Sequence, residues 1–104
     1  MNTATMRNED LPCILSALRN EMPRWKRRYG ITRIGVFGSV VRGESVETSD
    51  LDILVDYDTA PSLFQLSALQ REMTRATGRN VDLALRRTLK PAIGKHILSE
   101  VVYA

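Results

Sequence analysis

A chain of 104 residues with 43% hydrophobic side chains and a net charge of +3 is long enough for one small core and too apolar for a disordered tail. No run of about 18 apolar residues occurs, which excludes a helical membrane span. The one cysteine, Cys13, excludes an internal disulfide and a cysteine zinc site, and the reducing cytoplasm is the simplest home.

Residues 1–9 are polar and read as a flexible lead-in to a single domain spanning 1–104. Leu11, Ile14, Leu15, Leu18, Met22 and Trp25 recur at helical spacing, with Asp10 and Pro12 suited to the start and Gly30 to the end. Pro23 lies inside that pattern and is expected to kink the helix or begin a second one, because it has no amide hydrogen. Cys13 is expected in the core, and Trp25 is expected to pack the helix onto a sheet. Residues 32–37 read as a buried strand, Gly38-Ser39 as a sharp turn, Val40 to Arg42 as a short helical piece, and residues 44–49 as a polar loop.

Leu51 to Tyr57 is a second strand, with Leu51, Ile53 and Val55 on one face and Asp52, Leu54 and Asp56 on the other. Ser62 caps the next helix and Gln65 completes a capping box. Leu63, Leu66, Leu69, Met73 and Ala76 form its apolar stripe, and Gly78 ends it. Residues 80–85 form a third strand, Pro91 to Glu100 a helix, and Val101 to Tyr103 a short extended end. This order predicts an α/β fold of the α+β type, a small mixed sheet with flanking helices.

The chemistry concentrates in residues 38–52. A glycine lets backbone approach a phosphate, and amides at a helix start favour anions. Gly38, Ser39, Arg42 and Gly43 therefore form a candidate phosphate cradle. Asp50 and Asp52, two positions apart in a strand, point the same way. Two carboxylates that close repel unless a cation sits between them, and Mg²⁺ favours carboxylate and phosphate oxygens together. Asp82 stands in the third strand, where an acid is costly to bury unless paired or bound to metal. If that strand lies beside the second, Asp82 approaches Asp50 and Asp52. Each piece also has an ordinary reading: a solvated strand edge, a plain turn, a structural ion pair for Arg42, a strand-end acid.

Gly38-Ser39, Arg42-Gly43, Ser49-Asp50 and Asp52, with Asp82 on a later strand, together resemble the DNA polymerase β-type nucleotidyltransferases. The short length and the ending Leu89-Lys90-Pro91, Ile97-Leu98 and Glu100 to Tyr103 resemble the minimal members of that group. The resemblance spans residues 30–104. It implies a catalytic and metal-binding set of Asp50, Asp52 and Asp82 around two Mg²⁺ ions, with Asp82 also acting as base. It implies ATP held by Gly38 and Ser39 with support from Arg42, and AMP transferred to a hydroxyl as pyrophosphate leaves. Many minimal members are antitoxins that add AMP to a tyrosine of a partner HEPN-domain RNase toxin, so a HEPN partner in a hetero-oligomer is the implied setting. Neutralisation by binding alone and a small-molecule nucleotidyltransferase are the competing functions.

Eight of the fifteen cations lie in the clusters Arg24–Arg28 and Arg79–Lys90. They read first as solvated faces, and direct nucleic-acid binding is not expected from a balance this mild. His96, the single histidine, has no acid or cysteine cluster around it and reads as an ordinary helix residue.

Overall fold

The computed structural model describes residues 6–44 and 49–104. The elements run α1 (Met6–Tyr29), β1 (Ile31–Phe37), α2 (Ser39–Arg42), β2 (Leu51–Tyr57), α3 (Leu63–Thr77), β3 (Val81–Leu85), a 3₁₀ turn (Arg86–Thr88), α4 (Pro91–Glu100) and β4 (Val102–Tyr103). The strands form the expected small mixed sheet in the order β3-β2-β1-β4. Strand β1 is antiparallel to β2 and to β4, while β2 is parallel to β3. A parallel pair needs a crossover connection, and α3 supplies it.

The core lies between one face of this sheet and the two long helices. Ile14, Leu15, Leu18, Met22, Trp25 and Tyr29 of α1 are buried at steps of three and four residues, against Leu69 and Met73 of α3. Ile31, Ile34 and Val36 of β1 and Leu51, Ile53 and Val55 of β2 supply the sheet side. Leu54, on the opposite face of β2, and Ile97 of α4 are buried outside that cluster. Trp25 is fully buried, as its helical spacing predicts. Its indole Nε1–H donates to Glu72 Oε1 at 2.9 Å, and Tyr29 Oη–H donates to Glu72 Oε2, so one carboxylate on α3 ties down the end of α1.

Helix α3 starts as the sequence predicts. Gln65 N–H donates to Ser62 Oγ at 3.1 Å, and Gln65 Oε1 accepts from Ser62 N–H at 2.8 Å, closing the capping box. Gly78 ends the helix with φ +73°, a left-handed value that glycine adopts without a Cβ penalty.

Several expectations are corrected. Helix α1 begins at Met6 rather than at Asp10, so residues 6–9 belong to it; residues 1–5 lie outside the described residues. Pro23 starts no second helix, and α1 contains both Pro12 and Pro23. The two prolines are exposed. Leu18, Met22 and Trp25 around Pro23 are buried in the core, which holds α1 continuous across the missing amide hydrogen. Cys13 is exposed, because neighbouring Ile14 and Leu15 occupy the buried stripe. Leu63 is 83% exposed and stands outside the α3 stripe, as does Phe64 at 89%. Within the expected polar loop, residues 45–48 lie outside the described residues.

Candidate active site

Strand β1 delivers the chain to Gly38, whose backbone has φ +84° and ψ −150°. That combination is open to glycine and strained for any L residue. Space demands glycine as well, since a Cβ added there would collide with the Asp52 carboxylate. The turn therefore passes directly against Asp52. Helix α2 follows for one turn, and Gly43 closes it in the left-handed conformation, with φ +74°.

Asp52 pairs in register with Phe37 of β1 on one side and with Asp82 of β3 on the other. The parallel β2–β3 pairing thus sets the two carboxylates side by side, as the sequence reading anticipates. Asp50 immediately precedes β2, where the neighbouring Leu51 N–H donates to Asn80 O at 2.8 Å. Asp52 is half-buried, whereas Asp50 and Asp82 are exposed. Burial pushes the Asp52 carboxyl above its ordinary range, the charges of Asp82 and Asp50 push it further, and Arg42 pulls it back in part. Among the described residues, no three His, Cys, Asp or Glu side chains are gathered into a ready metal cluster. The fit to a divalent cation rests on chemistry: three carboxylates whose mutual repulsion already acts on Asp52, all oxygen donors of the kind Mg²⁺ takes.

Asp50 and Asp82 line an open recess of about 770 Å³. Arg71 and Arg75, one turn apart on α3, line it as well, together with Asn80. These two cations are absent from the sequence-derived site, although their four-residue spacing on a helix was available as a signal.

Arg42 does not pair with the aspartates. Its guanidinium lies 3.1 Å from Glu100 and 3.0 Å from Glu44. Glu100 also accepts a hydrogen bond from Gly38 N–H at 2.8 Å. Glu100, like Arg71 and Arg75, has no role in the site expected from sequence. The available signal was an acid at the C-terminal end of a helix, where the dipole disfavours negative charge.

Residues 18–104 match the nucleotidyltransferase-domain family. The chain belongs to that family. As a nucleotidyltransferase it is 44% identical to the protein adenylyltransferase MntA of Thermococcus cleftensis over 95 residues, covering 91% of this chain and 93% of the relative. A solved chain assigned as a minimal nucleotidyltransferase is 31% identical and superposes with a TM-score of 0.65, covering 98% of this chain and 95% of that one. An MNT antitoxin solved in complex with a tri-AMPylated HEPN toxin from Shewanella oneidensis shares the fold at 19% identity. Its TM-score is 0.59, with 94% of this nucleotidyltransferase and 71% of that chain covered. A toxin–antitoxin structure with AMP-PNP likewise shares the fold, at 21% identity and a TM-score of 0.67, covering 81% and 69%.

Proposed function

We propose that this nucleotidyltransferase moves AMP from ATP to a tyrosine hydroxyl of a partner HEPN-domain toxin and thereby acts as its antitoxin. The observation that carries the proposal is the seating of Asp52, with the Gly38 turn against its carboxylate and Asp82 in register beside it. A phosphate cradle and an acidic pair are thereby brought to one point at the ends of three adjacent strands. In the reaction the acceptor oxygen bonds to the α-phosphorus, the bond to the bridging β-phosphate oxygen breaks, and pyrophosphate departs.

Asp82 takes the proton from the acceptor hydroxyl; it is the exposed member of the register pair and borders the open recess from which an acceptor can approach. Ser39 and Arg42 hold the triphosphate, and Gly38 and Gly43 give the turn its shape. Asp50, Asp52 and Asp82 would hold Mg²⁺, probed with one or two equivalents. When bound, the metal supplies positive charge opposite the phosphate oxygens and lets all three carboxylates ionise together.

The protein acceptor and the toxin partner are supported by two relatives: the Thermococcus cleftensis protein, named a protein adenylyltransferase, and the Shewanella oneidensis antitoxin, bound to a tri-AMPylated toxin. The exposed Leu63 and Phe64 favour a second reading, in which contact with the partner is itself sufficient to neutralise it. Labelled ATP tests the transfer. Label from the α-phosphate should become acid-stable on the partner and label from the γ-phosphate should not. Transfer of γ-label would replace the proposal with a kinase reaction.

A further inference from the structure

We infer that Glu100 is a positioning residue of the nucleotide site, acting through Gly38 and Arg42 rather than by touching the nucleotide. The inference rests on the proposed ATP reading and adds to it a residue 62 positions away from the Gly38 turn.

Glu100 ends α4 and its side chain is 14% exposed. Its Oε2 accepts the Gly38 amide hydrogen at 2.8 Å, and Oε1 and Oε2 accept from Arg42 Nη1 at 3.1 and 3.2 Å. One carboxylate thus fixes both the backbone and the cation of the turn. Burial pushes its carboxyl up, but the Gly38 amide and the Arg42 charge outweigh burial and hold it below the ordinary range. A negative group at the C-terminal end of a helix works against the helix dipole, so these two partners are what make the position tenable.

The tail that carries Glu100 is itself clipped to β1. Val102 and Tyr103 pair with Val36 and Gly35, and Ala104 N–H donates to Ile34 O at 2.9 Å. Gly35 has no side chain, and an added Cβ would run into Val101 and Tyr103. The Arg33 guanidinium stacks 3.8 Å from the Tyr103 ring centre. Glu100 is therefore held at a set height beside the end of the strand that feeds the turn. It keeps Gly38 in its positive-φ geometry, and it keeps Arg42 from swinging to Asp52, where it would compete with a cation. Glu44 also pairs with Arg42, but its side chain is 63% exposed, and the carboxylate that accepts the Gly38 amide hydrogen is that of Glu100. Removing Glu44 takes a charge from Arg42 without loosening the turn.

The test is the affinity of the full chain for AMP-PNP with Mg²⁺, by calorimetry, alongside each variant's melting temperature. Glu100→Ala should weaken binding about tenfold or more, the usual scale for losing a group that orients a binding residue. Glu100→Gln should lose less, because its amide oxygen still accepts the Gly38 hydrogen. Glu44→Ala should stay within about twofold, as expected for an exposed pair. The role is overturned if Glu100→Ala binds as wild type does, or if Glu44→Ala loses as much as Glu100→Ala. Should Glu100→Ala fail to fold, Glu100→Gln decides: weakened binding at an unchanged melting temperature supports the role, and wild-type affinity overturns it. A wild-type chain that does not bind AMP-PNP overturns instead the ATP reading beneath it.

Discussion

Asp52 is the residue on which the site's electrostatic cost falls. It is half-buried, lies beside two other carboxylates, and has its carboxyl pushed upward first by burial and then by Asp82 and Asp50. An acid whose value is raised by folding holds its proton more tightly in the folded state. Its penalty is absent at low pH and sets in as pH rises past the ordinary carboxylate value. Asp52→Asn should therefore raise the melting temperature of the metal-free chain at neutral pH, and the gain should vanish at acid pH and shrink with added Mg²⁺. The same substitution should stop AMP transfer. Asp82→Asn should lower the transfer rate roughly 10²–10⁴-fold, the range for losing a general base. A thermal scan and a turnover assay on the two variants check both outcomes.

Between elements, Glu72 has the clearest structural task. The side chains of Trp25, Tyr29 and Arg24 on α1 all reach this one carboxylate on α3. Burial alone would push Glu72 up; hydrogen bonds from Tyr29 and Trp25 and the charge of Arg24 bring it below the ordinary range. A lowered acid stabilises the fold fully above its unfolded value, and that stability is lost as pH falls through the folded one. Glu72→Gln should flatten the acid limb of the stability profile. Glu72→Ala should cost roughly 2–3 kcal/mol in urea unfolding, because the donors of buried Trp25 and Tyr29 lose their acceptor. At the other edge of the sheet, Gly35→Ala should cost about 1–3 kcal/mol by overpacking against Val101 and Tyr103. It should also weaken AMP-PNP binding, since it displaces the tail that carries Glu100.

Across the whole molecule, the features that sequence discloses are those set by short periods. The alternation in β2 predicts which face Asp52 occupies, and the Ser62–Gln65 capping box and Gly78 bound α3 within a residue. The helical spacing of Ile14, Leu18, Met22 and Trp25 marks the buried face of α1. The same spacing misplaces Cys13 and Leu63, because a stripe's width depends on how much of the sheet faces it. Pro23 does not divide α1, because packing on one side of a helix can hold it across a missing hydrogen bond. Glu100 is hidden for a different reason. Its partners are Gly38 and Arg42, 62 and 58 positions away, and only the pairing of β4 with β1 brings them together. Asp82 lay within reach of sequence reasoning because one parallel register joins it to Asp52.

The proposed activity is chemical transfer of AMP to a partner protein by the site around Asp52. Its most direct test is the intact mass of a candidate HEPN-domain partner co-expressed with this chain, wild type or Asp52→Asn. The partner should gain one or more AMP masses with wild type and none with Asp52→Asn. An unchanged partner mass with both forms, within a stable complex that still neutralises the partner, would contradict it.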